Sequence, residues 1–128
     1  MNDTYRVLVT GSRSWTAELV TWHALNQARD TTPAGRTLVI VHGGCPKGAD
    51  QVAHNWAQGH AVATEVHPAD WATHGRAAGP IRNQLMVRRG ADLCLAFIHN
   101  GSRGASHTAG LAEAAGIPTR RFTIREQP

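Results

Sequence analysis

Short apolar runs alternate along the chain with stretches of helical period. Residues 5–10, centred on Val7-Leu8-Val9, read as a buried strand, and residues 38–41 read as a second. Between them, residues 16–29 carry a stripe of Leu19, Trp22 and Leu25 that continues from Trp15, with Ser14 or Thr16 as the cap. Pro33-Ala34-Gly35 breaks that helix from the next strand. Ala49, Val52, Ala53, Trp56 and Ala57 repeat at helical spacing, and Gly59 closes their helix. Residues 61–67 alternate weakly, as an edge strand does. Residues 68–79 read as a polar loop, after which Pro80 opens a helix with Ile81 and Leu85 on its inner face, ended by Gly90. Residues 93–98 are a fourth strand. Ser106 caps a last helix on Ala109, Leu111, Ala112 and Ala115, stopped by Gly116 and Pro118, and residues 119–124 form the final strand.

Continuous apolar strands separated by helices predict a parallel sheet covered on both faces. Right-handed crossovers then give an α/β, Rossmann-like, three-layer doubly wound fold with a five-stranded parallel sheet. No repeat or linker divides residues 1–128, so one domain is expected from 128 residues and 13.8 kDa.

Composition narrows the class. The longest apolar run, residues 93–98, is far shorter than the roughly 20 residues of a membrane span. The first five residues carry no basic-then-apolar leader pattern. Cys45 and Cys94 make no disulfide framework, so a cytoplasmic setting is expected. Net charge is +4, and Lys47 is the one lysine among 13 basic residues. Arginine pairs bidentately with phosphate, which fits an anionic partner, although arginine-rich usage also fits a GC-rich genome. The bases are scattered, so duplex DNA is not implied. Eight histidines form no ligand spacing, so no metal and no cofactor is expected.

In an open parallel sheet, ligands bind outside the carboxyl ends of the strands. The first loop there holds Gly11, Ser12 and Arg13 at a helix start. The second, His42-Gly43-Gly44-Cys45-Pro46-Lys47-Gly48-Ala49-Asp50, has three glycines in six residues. It is neither a Walker A loop nor Gly-x-Gly-x-x-Gly, so ATP hydrolysis is unsupported. Asp50 in the first helical turn suits either the helix dipole or a ribose or base contact. The third loop carries Asp70, Trp71, Arg82 and Asn83. Arg82 reads as a ligand contact or a solvated surface side chain, and Trp71 as a base platform or core. The fourth, Asn100-Gly101-Ser102-Arg103-Gly104, reads as a second phosphate cradle. No Gly-x-Ser-x-Gly elbow or Ser/His/Asp order is present.

Val7-Leu8-Val9-Thr10-Gly11-Ser12-Arg13, then Val41-His42-Gly43-Gly44-x-x-Lys47-Gly48-Ala49-Asp50, then His67-Pro68-Ala69-Asp70-Trp71 with Gly79-Pro80-Ile81-Arg82-Asn83, resemble the small YspA-type proteins of the SLOG superfamily. The resemblance implies a Rossmann-like sheet binding a nucleotide or ADP-ribose-like ligand, in a homodimer. Relatives in the superfamily are LOG-type nucleotide phosphoribohydrolases and DprA-like single-stranded DNA binders. The hydrolases carry Pro-Gly-Gly-x-Gly-Thr-x-x-Glu at the fourth loop. Here Gly101 and Gly104 keep the glycine frame, while Ala105 and Thr108 stand where that pattern has Thr and the catalytic Glu. Glu113 is five residues further on, about 140° around the helix. Arg82 matches the arginine that those enzymes set beside the phosphate.

The leading expectation is binding of a nucleotide-like ligand by Gly11, Ser12, Arg13, Gly43, Gly44, Lys47, Gly48, Asp50, Arg82, Asn83, Gly101, Ser102, Arg103 and Gly104. Whether the ligand is turned over stays open. One alternative is an N-glycosidic hydrolase with Asp50 or Asp70 as its carboxylate. The other is a single-stranded nucleic-acid binder using Arg13, Arg82, Arg103 and Trp71.

Overall fold

A computed structural model describes residues 3–126. Five strands, β1 (Thr4–Gly11), β2 (Thr37–His42), β3 (Ala63–Val66), β4 (Leu93–His99) and β5 (Thr119–Ile124), form one sheet in the order β3-β2-β1-β4-β5. Every pairing is parallel. Helices α1 (Glu18–Asp30), α2 (Ala49–Gly59), α3 (Trp71–His74), α4 (Ala78–Arg88) and α5 (Arg103–Ala114) connect them. The predicted Rossmann-like fold is therefore the observed one, and its strand order reverses between β1 and β4.

The pleat divides each central strand between two cores. Val7, Val9, Ile40, Leu95 and Phe97 face one side, where α1 and α2 cover them with Leu25, Ala53 and Trp56. Leu8, Val41 and Cys94 face the other, under Met86 of α4 and Ala112 of α5. Ala96 and Ile98 meet Ala105 and Ala109 of α5. Alanine lines the sheet-facing side of α2 and α5, so both helices lie close to the strands and their N-termini reach its carboxyl edge.

Several sequence expectations shift. Helix α1 begins at Glu18, and its inner face is Thr21, Ala24, Leu25 and Ala28. Leu19 is 75% exposed and Trp22 41%. Trp15 is buried, but it lies before the helix, where its indole N–H donates to Thr21 Oγ1. The apolar stripe thus joined two different surfaces. Strand β3 is shorter than residues 61–67, because Ala61 turns with positive φ. The loop of residues 68–79 contains α3 and a 3₁₀ turn, Gly75–Ala77. Helix α4 starts at Ala78, before Pro80, and buries Ala78, Gly79, Asn83 and Met86 while Ile81 and Leu85 face outward. Helix α5 starts at Arg103 after Ser102, not after Ser106, and its buried face is Ala105, Thr108, Ala109 and Ala112. Small and polar residues make these inner faces, which is why hydrophobic periodicity misplaced them. No helix among the described residues is long and apolar enough to cross a membrane.

Candidate functional site

The carboxyl ends of the strands open into a cleft of about 1020 Å3. Gly11, Ser12, Arg13 and Ser14 enter it from the β1 loop, and Gly43, Gly44, Cys45 and Asp50 from the β2 loop and α2. Trp71, Gly79, Arg82 and Asn83 come from α3 and α4; Ser102, Arg103, Gly104, Ala105 and His107 come from the start of α5. Eleven of the fourteen expected ligand residues share this lining with Gly79 and Trp71. The other expected positions do not line it: Lys47 is exposed, and Gly48, Gly101 and Asp70 are also outside the lining.

The loops are fixed to one another before any ligand arrives. Ser12 N donates to the Phe97 carbonyl at 2.9 Å, and Ser12 Oγ accepts the His99 amide at 2.8 Å. Those two bonds join β1 to β4 at the point of strand reversal. Gly48 has φ of +78° and ψ of −153°, a conformation open to glycine alone. A Cβ there would strike the Ser12 carbonyl and the Arg13 backbone. Gly48 therefore lets the second loop close against the first.

Arg82 is the central cation. Its Nη1 donates to the Gly43 carbonyl at 2.7 Å and the His67 carbonyl at 3.3 Å, while Nε donates to Asn83 Oδ1 at 2.7 Å. These bonds tie the Arg82 side chain to the second loop and to the end of β3. His67 is held in turn by Glu65, 2.6 Å away, whose other contact is a paired bond to Arg6 at 2.7 and 2.8 Å. The Arg6 guanidinium holds the Glu65 carboxyl down to about 2.

Asp50 sits on the cleft lining at only 7% exposure. Its Oδ2 accepts the Cys45 amide at 3.3 Å. Burial pushes its pKa up to about 6, against the pull of the Cys45 and Gly43 amides and the Arg82 and Arg13 charges. Among the described residues no ion pair joins Asp50 to an arginine. The result is a buried carboxyl that titrates near neutrality. Asp70 differs: it is fully exposed and its carboxylate caps α3 by accepting the Thr73 amide at 3.1 Å.

Behind the second loop, His42 Nδ1 accepts the Gly44 amide at 2.9 Å. The ring proton then sits on Nε2, which points at His54 Nδ1 3.0 Å away. Burial lowers the His42 pKa to about 4, so the ring is neutral and can keep accepting that amide. On the other side of the cleft, Ser14 Oγ lies 2.6 Å from His99 Nδ1, and His99 Nε2 lies 3.0 Å from Glu126 Oε1. Sequence order concealed the side-chain pairs in both sets of contacts, because those partners are 12 to 85 residues apart. The only local signal was a histidine ending each of β2 and β4.

Helix α5 supplies the strongest anion-directed feature. Its first helical bond is from the Ser106 amide to the Ser102 carbonyl, leaving the amides of Arg103, Gly104 and Ala105 directed out of the helix start. Thr108 is fully buried and its hydroxyl donates to the Gly104 carbonyl at 3.1 Å. The position that matches the hydrolase Glu therefore faces the core. Among the described residues no group of three or more His, Cys, Asp or Glu is placed to hold a metal ion.

Fold and cleft together define a Rossmann-like α/β protein with a glycine- and arginine-lined site at its strand reversal. The family model described as YspA, cpYpsA-related SLOG family matches residues 5–74. The chain is also 47% identical over 122 residues to the Gene 61 protein of Mycobacterium phage D29, an alignment covering 91% of this chain and 95% of that relative. The chain belongs to the YspA, cpYpsA-related SLOG family.

Proposed function

We propose that the protein binds a nucleotide or nucleotide-derived phosphate ligand in this cleft. One observation carries the reading: three loops and the free amides of α5 converge on a single cavity that also holds Arg13, Arg82 and Arg103. Amides at a helix start together with arginine forks suit phosphate oxygens. Asp50, buried beside them, suits a ribose hydroxyl, since either of its protonation states hydrogen-bonds one. Family membership points to the same nucleotide-related class. Calorimetric titration with AMP, ADP-ribose and ribose 5-phosphate tests the reading. Binding that weakens at least about 10-fold in Arg82→Ala is expected, from loss of a charge-assisted contact. Absence of binding by all three at millimolar concentration overturns it.

A second reading, cleavage of an N-glycosidic bond, draws on Asp50 itself. A carboxyl with its pKa raised to about 6 can donate a proton to a departing base near neutral pH. Release of free base from nucleoside monophosphates, lost in Asp50→Asn, is the result this reading requires.

A further inference from the structure

The cleft has an aromatic wall that the phosphate-binding reading does not use. Trp71 opens α3 and is 50% exposed, with its ring on the cleft lining. The Arg13 guanidinium carbon lies 5.8 Å from the ring centroid, within cation–π range. Gly79 of α4 lies beside the indole, where an added Cβ would make an ordinary contact with Cη2 at 3.5 Å. Asp70 fixes the turn that carries it, through the Thr73 amide.

The other tryptophans show what a structural indole looks like in this protein. Trp15 and Trp56 are buried, and their N–H groups donate to Thr21 and Asn26. Trp22 is outside the cleft, on α1. The Trp71 N–H has no hydrogen-bond partner among the described residues. Half of a large apolar surface left open costs hydrophobic free energy, and here it is left open toward a cavity. Strand order adds a spatial reason. Trp71 follows edge strand β3, whereas the α5 amides follow β4, with β2 and β1 between. Three strand spacings, about 14 Å, separate those two exits. A ligand that spans them has an anionic end and a flat end.

Resting on the phosphate-binding reading, we propose that Trp71, backed by Arg13, is the stacking platform for a nucleobase. The ligand class is then a base-bearing nucleotide and not a bare sugar phosphate. The base lies on the open part of the indole, and its phosphate reaches toward Arg82 and the α5 amides. Arg13 serves both ends, polarising the ring and adding positive charge between them.

Titration of the full chain with AMP and ribose 5-phosphate, followed by calorimetry and tryptophan fluorescence, tests this. AMP is expected to bind at least about 10-fold tighter than ribose 5-phosphate, from base–aromatic stacking, and to quench emission. Trp71→Ala is expected to bring AMP down to the affinity of ribose 5-phosphate while leaving the latter unchanged. Trp71→Phe should keep most of the AMP affinity and lose the quench. Equal affinity for the two ligands in the unaltered protein, or AMP binding indifferent to Trp71→Ala, overturns the stacking role and leaves the phosphate reading intact. Failure of both ligands to bind removes the phosphate reading beneath it.

Discussion

Arg82 Nη1 donates to the Gly43 carbonyl at 2.7 Å, and a Cβ on Gly43 would overlap the same guanidinium. The arginine thus occupies the side-chain space of a glycine 39 residues away, and the second loop and α4 shape one another. Gly43→Ala is expected to push Arg82 out of register without unfolding the chain. Affinity for a phosphate-bearing ligand such as AMP should fall roughly 10-fold, as for loss of one charge-assisted hydrogen bond. The thermal midpoint should change little. Calorimetry paired with thermal unfolding checks both halves, and undiminished affinity would show that Arg82 does not need its present seat.

Gly48 makes a contrasting prediction. Its backbone conformation and its closeness to Ser12 and Arg13 leave no room for a side chain. Gly48→Ala should therefore destabilise the fold by about 2 kcal/mol or more, the strain of a glycine-only conformation plus a backbone clash. Urea denaturation measures it directly. A loss below about 0.5 kcal/mol would mean that the two loops part easily.

Gly43 and Gly48 also show how far the sequence could be read. The parallel sheet and its site edge were legible, because apolar runs such as Val7-Leu8-Val9 and Leu38 to Val41 can only be buried strands between helices. The glycine-rich loops were legible as cleft elements for the same topological reason. Within a loop, glycines that face a cavity and glycines that face a neighbouring loop look alike, so Gly43 and Gly48 received one role. Helix faces were harder. In α4, Asn83 and Gly79 are buried while Ile81 and Leu85 are exposed, so hydrophobicity misled where the inner face is small or polar. The histidine contacts depend on tertiary placement alone.

Thr108 supplies a test of the hydrolase comparison. Its side chain is fully buried and its hydroxyl is satisfied by Gly104. Thr108→Glu restores the residue of the hydrolase pattern but would bury a carboxylate with no cation beside it. It is expected to destabilise the protein by more than about 2 kcal/mol, and to release no base from nucleoside monophosphates. Thr108→Val should cost less than about 1.5 kcal/mol, since the hydroxyl bonds only a helix carbonyl. Base release by a stable Thr108→Glu variant would show that α5 can rotate this position into the cleft.

Asp50 and His42 act on stability in opposite directions across the same acidic range. The Asp50 pKa rises from 3.8 to about 6 on folding, so the folded state holds this proton more tightly. Its effect is absent below the unfolded value and becomes a growing cost as pH climbs through 4 to 6, reaching on the order of 2–3 kcal/mol above that. The His42 pKa drops from 6.5 to about 4, so the folded state holds that proton more weakly. Its effect is a loss as pH falls from 6.5 towards 4, because the unfolded chain takes up the proton first. From these two groups the unaltered protein should show a shallow dependence between pH 4 and 6. Asp50→Asn removes one side of the balance. The variant should match the parent near pH 4, gain stability as pH rises, and lead by roughly 2 kcal/mol at pH 7. Urea denaturation of both proteins at pH 4, 5, 6 and 7 gives the difference curve. A difference that stays constant with pH would mean that the Asp50 carboxyl titrates in the fold much as it does in the open chain.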